Sequence, residues 1–197
     1  QGMGNREAFE ELCCQLFETW GLAQEAIDDS WTYRDIRGEG GDGGIEAYWR
    51  NPDSSDCIGI QAKWFPDKID GPRLSNIRES LDTAMGKRPM MSRYIVCVPR
   101  NLTSKMGVTG GRSSKGEDER WDDLKAKATS EYPGLHLDLW DEEKLSSLLQ
   151  APANEGRRRF WFDRSLVNPV IFKASLDKAL ADIKDRYVPE LAGAGGL

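Results

Sequence analysis

The sequence predicts an α/β fold, a central mixed sheet flanked by helices. Three observations carry this. Two strand-like runs, IEAYW and CIGIQAKW, are joined by a polar loop, NPDSSD, rich in chain-reversing residues. Further on, the run RYIVCVP over Arg93–Pro99 is almost continuously apolar, as suits a strand covered on both faces at the centre of a mixed sheet. Between and around these runs lie segments whose apolar residues recur with helical spacing.

The first such segment runs from Asn5 to Trp20. It places Phe9, Leu12, Cys13, Leu16, Phe17 and Trp20 on one face, with Asn5 as N-cap and Gly21 as its stop. A weak strand pattern follows around Trp31–Arg34, then a glycine-rich turn, GEGGDGG, from Gly38 to Gly44. After the two paired runs, Leu74, Ile77, Leu81 and Met85 share one face of a helix closed by Gly86. The strand Arg93–Pro99 leads into a long polar, glycine-rich loop from Asn101 to Glu119, and such loops are usually functional or mobile. Helix Trp121–Ser130, strand Leu135–Trp140 and a helix from the Asp141 cap to Leu149 complete the order α, β, β, β, α, β, α, β, α. His136, the single histidine, has no second His or Cys beside it in the sequence and reads as structural.

Composition limits the function classes. The 197 residues, with 39% apolar and 30% charged, suit one globular domain and an appendage. No run has the length of a membrane helix and no basic-then-apolar leader opens the chain, so the expected location is the cytoplasm, with no membrane partner. A net charge of −6 argues against a surface coated in positive charge, though not against a local basic groove. Cys13, Cys14, Cys57 and Cys97 lack C-x-x-C spacing and sit in apolar stretches, which reads as buried free thiols rather than zinc ligands. The glycine turn is followed by a strand and lacks GK[ST], so it is not a nucleotide-binding P-loop.

Chemistry concentrates between Gly38 and Trp64. Gln61 and Lys63 alternate with Ile60 and Ala62 along a strand, so they share one face, one strand away from Asp42 and Glu46. Charges beside a buried sheet are costly without partners. A divalent metal and a phosphate would supply them. Mg²⁺ takes hard oxygen ligands, including one or two carboxylates, and a lysine can orient water and offset charge building on a phosphoryl oxygen.

The residues Asp42-Gly43-Gly44-Ile45-Glu46, followed by Gln61-Ala62-Lys63, resemble the motifs of the PD-(D/E)xK nuclease superfamily, and within it the QxK variant of the Mrr-like restriction endonucleases. Two departures stand out: Glu46 replaces the usual aspartate, and the neutral Gln61 leaves the site one negative charge short of a D…ExK site. The resemblance covers about Asn5–Gln150 and implies a restriction-endonuclease-like αβββαβ core with one further strand and helix. It implies Mg²⁺, with Mn²⁺ as a substitute, held by Asp42, Glu46, Gln61 and the Ala62 carbonyl. Lys63 would position the attacking water. Glu10, in the pair Phe9-Glu10, either faces that site or is one solvated acid among Glu7, Glu10 and Glu11. Arg73, Arg78, Lys87 and Arg88 are candidate contacts to double-stranded DNA, and each reads equally well as part of a solvated helix face. Lys105, Arg112 and Lys115 in the polar loop are further candidates beside a mobile-surface reading.

The expected organisation is residues 1–2 as a tag remnant before Met3, a nuclease domain over 3–150, and a helical extension over 151–197. The extension combines GRRRFWFD (Gly156–Asp163), read as an aromatic anchor with base stacking as the alternative, and an amphipathic segment Phe172–Ile183. It resembles the junction to the nucleotide-hydrolysing and sensor domains of bacterial STAND-type antiviral defence proteins. That implies an effector endonuclease that works as a homo-oligomer, a tetramer in the full-length protein. The alternatives are a retired nuclease fold that binds nucleic acid or a partner without hydrolysis, and a pure assembly domain.

Overall fold

The computed structural model describes residues 4–36, 43–104 and 115–162. The chain divides into two compact units, Gln1–Leu149 and Gln150–Leu197. The first unit holds helix α1 (Asn5–Leu22), strands β1 (Thr32–Asp35), β2 (Ala47–Arg50) and β3 (Cys57–Ala62), helix α2 (Gly71–Lys87), strand β4 (Met91–Cys97), helix α3 (Glu117–Glu131) and strand β5 (His136–Trp140). Helix α4 (Glu142–Gln150) follows, then a short 3₁₀ turn and, in the second unit, α5 (Glu155–Phe162). Helix–strand order in the first unit is the one expected from the sequence.

The five strands form one sheet in the order β1-β2-β3-β4-β5. β1–β2 and β2–β3 pair antiparallel, whereas β3–β4 and β4–β5 pair parallel through helical crossovers. The sheet is therefore mixed. Its centre is β3, all six residues of which are buried, rather than the run at Arg93–Pro99, which lies one strand further out. On one face Ile58, Ile60 and Ala62 of β3 pack with Phe9, Cys13, Leu16 and Phe17 of α1 and Leu145 of α4. The other face packs Tyr94 and Val96 under Ile77, Leu81 and Ala84 of α2 and Trp121 and Ala128 of α3. No helix of the described residues is long and apolar enough to cross a membrane. The four cysteines are free and buried, as their apolar surroundings suggested.

Several element ends differ from the sequence reading, for physical reasons. Gly21 does not stop α1. It is buried within the helix, where a Cβ would lie 2.1 Å from Nε1 of Trp49, so its role is close packing of the helix on β2. The helix cap is Gly4, not Asn5, and the Glu7 carboxylate accepts the Gly4 N–H at 3.1 Å. α2 starts earlier, at Gly71 after the cap Asp70, whose carboxylate accepts the Arg73 N–H at 3.1 Å, and it runs one residue past Gly86. α3 likewise begins at Glu117, in the stretch read as loop.

The early start of α3 has a cause. Glu117 is 1% exposed, yet it accepts bonds from the Arg100 guanidinium at 2.6 Å, the Thr103 N–H at 2.9 Å, the Thr103 hydroxyl and the Ile69 N–H. One carboxylate thus ties together the segments after β3 and β4. Burial raises its proton affinity, but these donors outweigh it and bring the pKa down to about 2. The unfolded chain titrates this group near 4.5. Its contribution is therefore fully present above that value and is lost as pH falls toward 2.

Two expectations follow from these contacts. Thermal unfolding between pH 5 and pH 3 should show a steep acid loss in the wild type, and Glu117→Gln should be less stable at pH 7 with a flatter acid limb. The difference at pH 7 is on the order of 3 kcal/mol. Gly21→Ala should destabilise by about 1–3 kcal/mol in urea unfolding, opposite in sign to the helix-propensity gain of alanine, because the methyl meets a buried indole.

Candidate active site

The candidate residues are brought together at the end of the sheet where β3 and β4 finish and β2 begins. Antiparallel pairing sets Ala47 opposite Ile60, and the Glu46 N–H donates to the Ile60 carbonyl at 2.7 Å. Glu46 is thereby locked beside Gln61. The carboxyl ends of parallel strands are where open α/β sheets leave a crevice for ligands.

The glycine turn sets the height of Glu46 above the sheet. Gly43 and Gly44 both have left-handed backbones, with φ of +62° and +81°. A Cβ on Gly44 would lie 2.0 Å from the Ser80 carbonyl oxygen of α2, so only glycine lets the turn lie this close. The Tyr94 hydroxyl donates to the Gly44 carbonyl at 2.6 Å and pins the turn from β4.

Glu46 and Gln61 are 4% and 2% exposed. The Gln61 amide nitrogen donates to Glu46 Oε1 at 2.5 Å and approaches the Ala62 carbonyl at 3.4 Å. An ionised carboxylate only accepts, so the amide must turn its nitrogen toward Glu46. The amide oxygen then faces away, buried, with no hydrogen-bond partner. Buried polar atoms are nearly always satisfied, so this orphaned oxygen marks a place for a donor or a cation. A buried carboxylate, an unpartnered amide oxygen and a main-chain carbonyl are hard oxygen donors, and they fit Mg²⁺ or Mn²⁺. Among the described residues no three His, Cys, Asp or Glu side chains gather as a metal cluster. Asp42, the other expected carboxylate, lies outside the described residues.

Lys63 leaves the sheet just after β3, its N–H bonded to the Cys97 carbonyl at 2.9 Å. Its ammonium donates to the Ser80 hydroxyl at 2.7 Å. Ser80 is a functional candidate that sequence reading missed. Its signal was present: it is a small polar residue on the stripe formed by Ile77, Leu81 and Ala84, which α2 buries.

Glu10 sits on the inner side of α1, 15% exposed at its side chain, with its carboxylate 2.7 Å from the Arg6 guanidinium. Burial raises the Cys13 thiol pKa well above its usual value, a bond with Cys97 adds to this, and the charges of Glu46 and Glu10 push it the same way. Both carboxylates therefore act on one buried thiol, and Glu10 is not on a fully solvated face.

The cationic candidates differ in their commitments. Arg78 is 18% exposed at its side chain, bonded to Asp82 at 2.8 Å and to Glu131, and held over the Tyr132 ring at 5.5 Å. These contacts tie α2 to α3. Arg73 bonds the Lys68 carbonyl and Asp67 and lies 5.5 Å over Phe65, bracing the loop before α2. Lys115 pairs with Asp123 on the surface. Lys87 is exposed, and Arg88 lies 5.0 Å over the Tyr48 ring. Lys105, Arg112 and the Phe172–Ile183 segment lie outside the described residues. In α5, Phe160 and Phe162 are 68% and 60% exposed.

The pairing of a carboxylate with an amide, rather than a second carboxylate, has a testable consequence. Gln61→Glu sets two buried carboxylates side by side, which is unfavourable unless a proton or a cation intervenes. The variant should melt lower than wild type at pH 7.5 in EDTA, regain stability as pH falls toward 5, and gain more from added Mg²⁺ or Mn²⁺ than wild type does in differential scanning calorimetry.

The chain matches no model of a known protein family and no curated protein, so the geometry of Glu46, Gln61 and Lys63 carries the functional reading alone.

Proposed function

We propose that the first unit is a metal-dependent DNA endonuclease domain that hydrolyses phosphodiester bonds, serving as the effector of a bacterial anti-phage defence protein. The observation that carries the reading is the buried Glu46–Gln61 pair with its unpartnered amide oxygen, one strand step from a lysine held by Ser80. A core glutamine gains nothing from such an arrangement by packing alone, since an unsatisfied buried acceptor costs about 1–3 kcal/mol.

Glu46, Gln61 and the Ala62 carbonyl would hold the ion, with Asp42 as a further ligand and Glu10 acting through water. When bound, Mg²⁺ supplies Lewis acidity at the phosphoryl oxygen and lowers the pKa of a coordinated water. The chain's own groups do the remaining work. Gln61 fixes the Glu46 carboxylate through its amide N–H. Ser80 accepts one proton of the Lys63 ammonium and so fixes it past the carboxyl end of β3. There the positive charge orients the attacking water and offsets the charge that builds on the phosphoryl oxygens as the new P–O bond forms and the ester P–O bond breaks.

The net charge of −6 opposes a polyanionic substrate. That favours activity when several copies are clustered, because linked copies raise the effective concentration for further contacts. Plasmid cleavage with Mg²⁺ or Mn²⁺ tests both points, using the protein alone and fused to a tetramerising helix. Wild type should nick or linearise DNA, faster in the fused form. Lys63→Ala and Glu46→Ala should each lose roughly 100-fold or more in rate while remaining folded. Absence of cleavage in both forms, with no heat of metal binding, would overturn the reading in favour of a binding module on this fold.

A further inference from the structure

At the far end of β3, a cavity of about 200 Å³ is lined by Tyr48, Arg50, Ser55, Lys87, Arg88 and Met90, with Cys57 and Pro89 closing it. Cys57 lies four residues before Gln61, so about 13 Å of strand separates this cavity from the Glu46–Gln61 site. Its charge is unusual for this chain. The protein carries 33 acidic and 27 basic residues, yet among the described residues three cations and no carboxylate line this pocket.

Each cation is held or available. The Arg88 guanidinium lies 5.0 Å over the Tyr48 ring, which fixes its plane. Its Nη1 is buried and has no hydrogen-bond partner. The left-handed turn at Gly43 presses on the neighbouring pair, because a Cβ there would lie 2.8 Å from Lys87 Cδ and 3.3 Å from Arg88 Nη1. Among the described residues Arg50, Lys87 and Arg88 have no ion-pair partner. The nearby Asp56 directs its carboxylate to the Cys57 N–H at 2.7 Å and does not line the cavity. Cys57 offers no counter-charge either: burial pushes its thiol up to about 11 against the pull of Arg88 and Arg50, so it stays neutral. Three like charges around one concavity repel each other unless an anion joins them.

We propose that this cavity is a phosphate-binding pocket, in which Arg88 and Arg50 donate to the phosphate oxygens and Lys87 supplies the third positive charge. The planar forks of two arginines match a tetrahedral oxyanion. Met90, 60% exposed at the rim, offers an apolar surface to the organic group that carries the phosphate. The same chemistry is available from a nucleic-acid backbone or from a small phosphomonoester. The pocket does not depend on the nuclease reading.

The test is an NMR titration of the whole chain, following the Met90 methyl group and the Gly43 and Ser55 amides, with inorganic phosphate as probe. Saturable shifts at these positions are expected. Affinity should fall about tenfold in Arg88→Lys, which keeps the charge but loses the fork, and in Arg50→Gln, whose exposed side chain can be changed without unfolding the domain. Lys144→Gln, at an exposed position of α4, should bind phosphate like wild type. Displacement of phosphate by a blunt duplex lacking terminal phosphates assigns the pocket to a nucleic-acid backbone, and displacement by a 5′-mononucleotide but not by that duplex assigns it to a phosphomonoester. Non-saturable shifts, or the same affinity in Arg50→Gln and Arg88→Lys as in wild type, would overturn the proposal.

Discussion

The turn at Gly43–Gly44 lies so close to α2 that a single added carbon would collide with the Ser80 carbonyl oxygen, and the geometry of the candidate site follows from that contact. With the turn seated on the helix, the chain enters β2 at a fixed height. Glu46 then arrives beside Gln61 with its main chain already bonded to Ile60. The same residue of α2 that receives the turn on its backbone receives Lys63 on its hydroxyl. One turn of helix therefore positions both the acid and the cation, although they come from different strands. A side chain at position 44 would lift the turn, and every other distance in the site would change with it.

The sheet makes this economy possible. β3 is buried on both faces and ends where β2 begins, so Gln61 sits in a region from which water is largely excluded. There a carboxylate is costly unless it is bonded or neutralised. An amide in place of a second carboxylate lowers that cost in the absence of a cation, because its N–H stabilises Glu46 instead of repelling it. The consequence for ligand binding runs the other way: one fewer negative charge means a weaker hold on a divalent ion. Stability of the empty fold and affinity for a metal are thus set against each other at one position.

Much of the architecture was legible in the sequence, and the parts that were not share a cause. Apolar periodicity exposed the order of helices and strands because it records which face is buried. Gly21 and Gly86 were misread as helix ends because glycine's local meaning is to terminate, whereas Gly21 is required by an indole 28 residues away in sequence. Glu117 looked like part of a polar loop, since its four donors come from segments that only the fold assembles. Of the site, the Glu46–Gln61–Lys63 neighbourhood could be placed from strand alternation. Ser80 carried only the mark of a small polar residue on a buried helical stripe, and nothing local named the lysine it meets.

The cationic residues divide by the same logic of prior commitment. A guanidinium that already has two carboxylates and an aromatic ring, as Arg78 has, must surrender those contacts before it can bind a phosphate. For a largely buried side chain that exchange is unfavourable, since the abandoned carboxylates lose a charge-assisted bond each. Lys115 pairs with Asp123 in full solvent, where such a pair contributes little and exchanges readily. Arg88 differs in having no carboxylate to give up among the described residues: its plane is fixed by Tyr48, and one of its nitrogens, like one of Arg78's, is buried without an acceptor. A side chain oriented in advance has less freedom to lose when an anion arrives, and an unfilled donor has no bond to break first. Arg78, near the middle of α2, is thus committed to carboxylates of the fold, whereas Arg88, just past the helix's carboxyl end, has no such pair among the described residues.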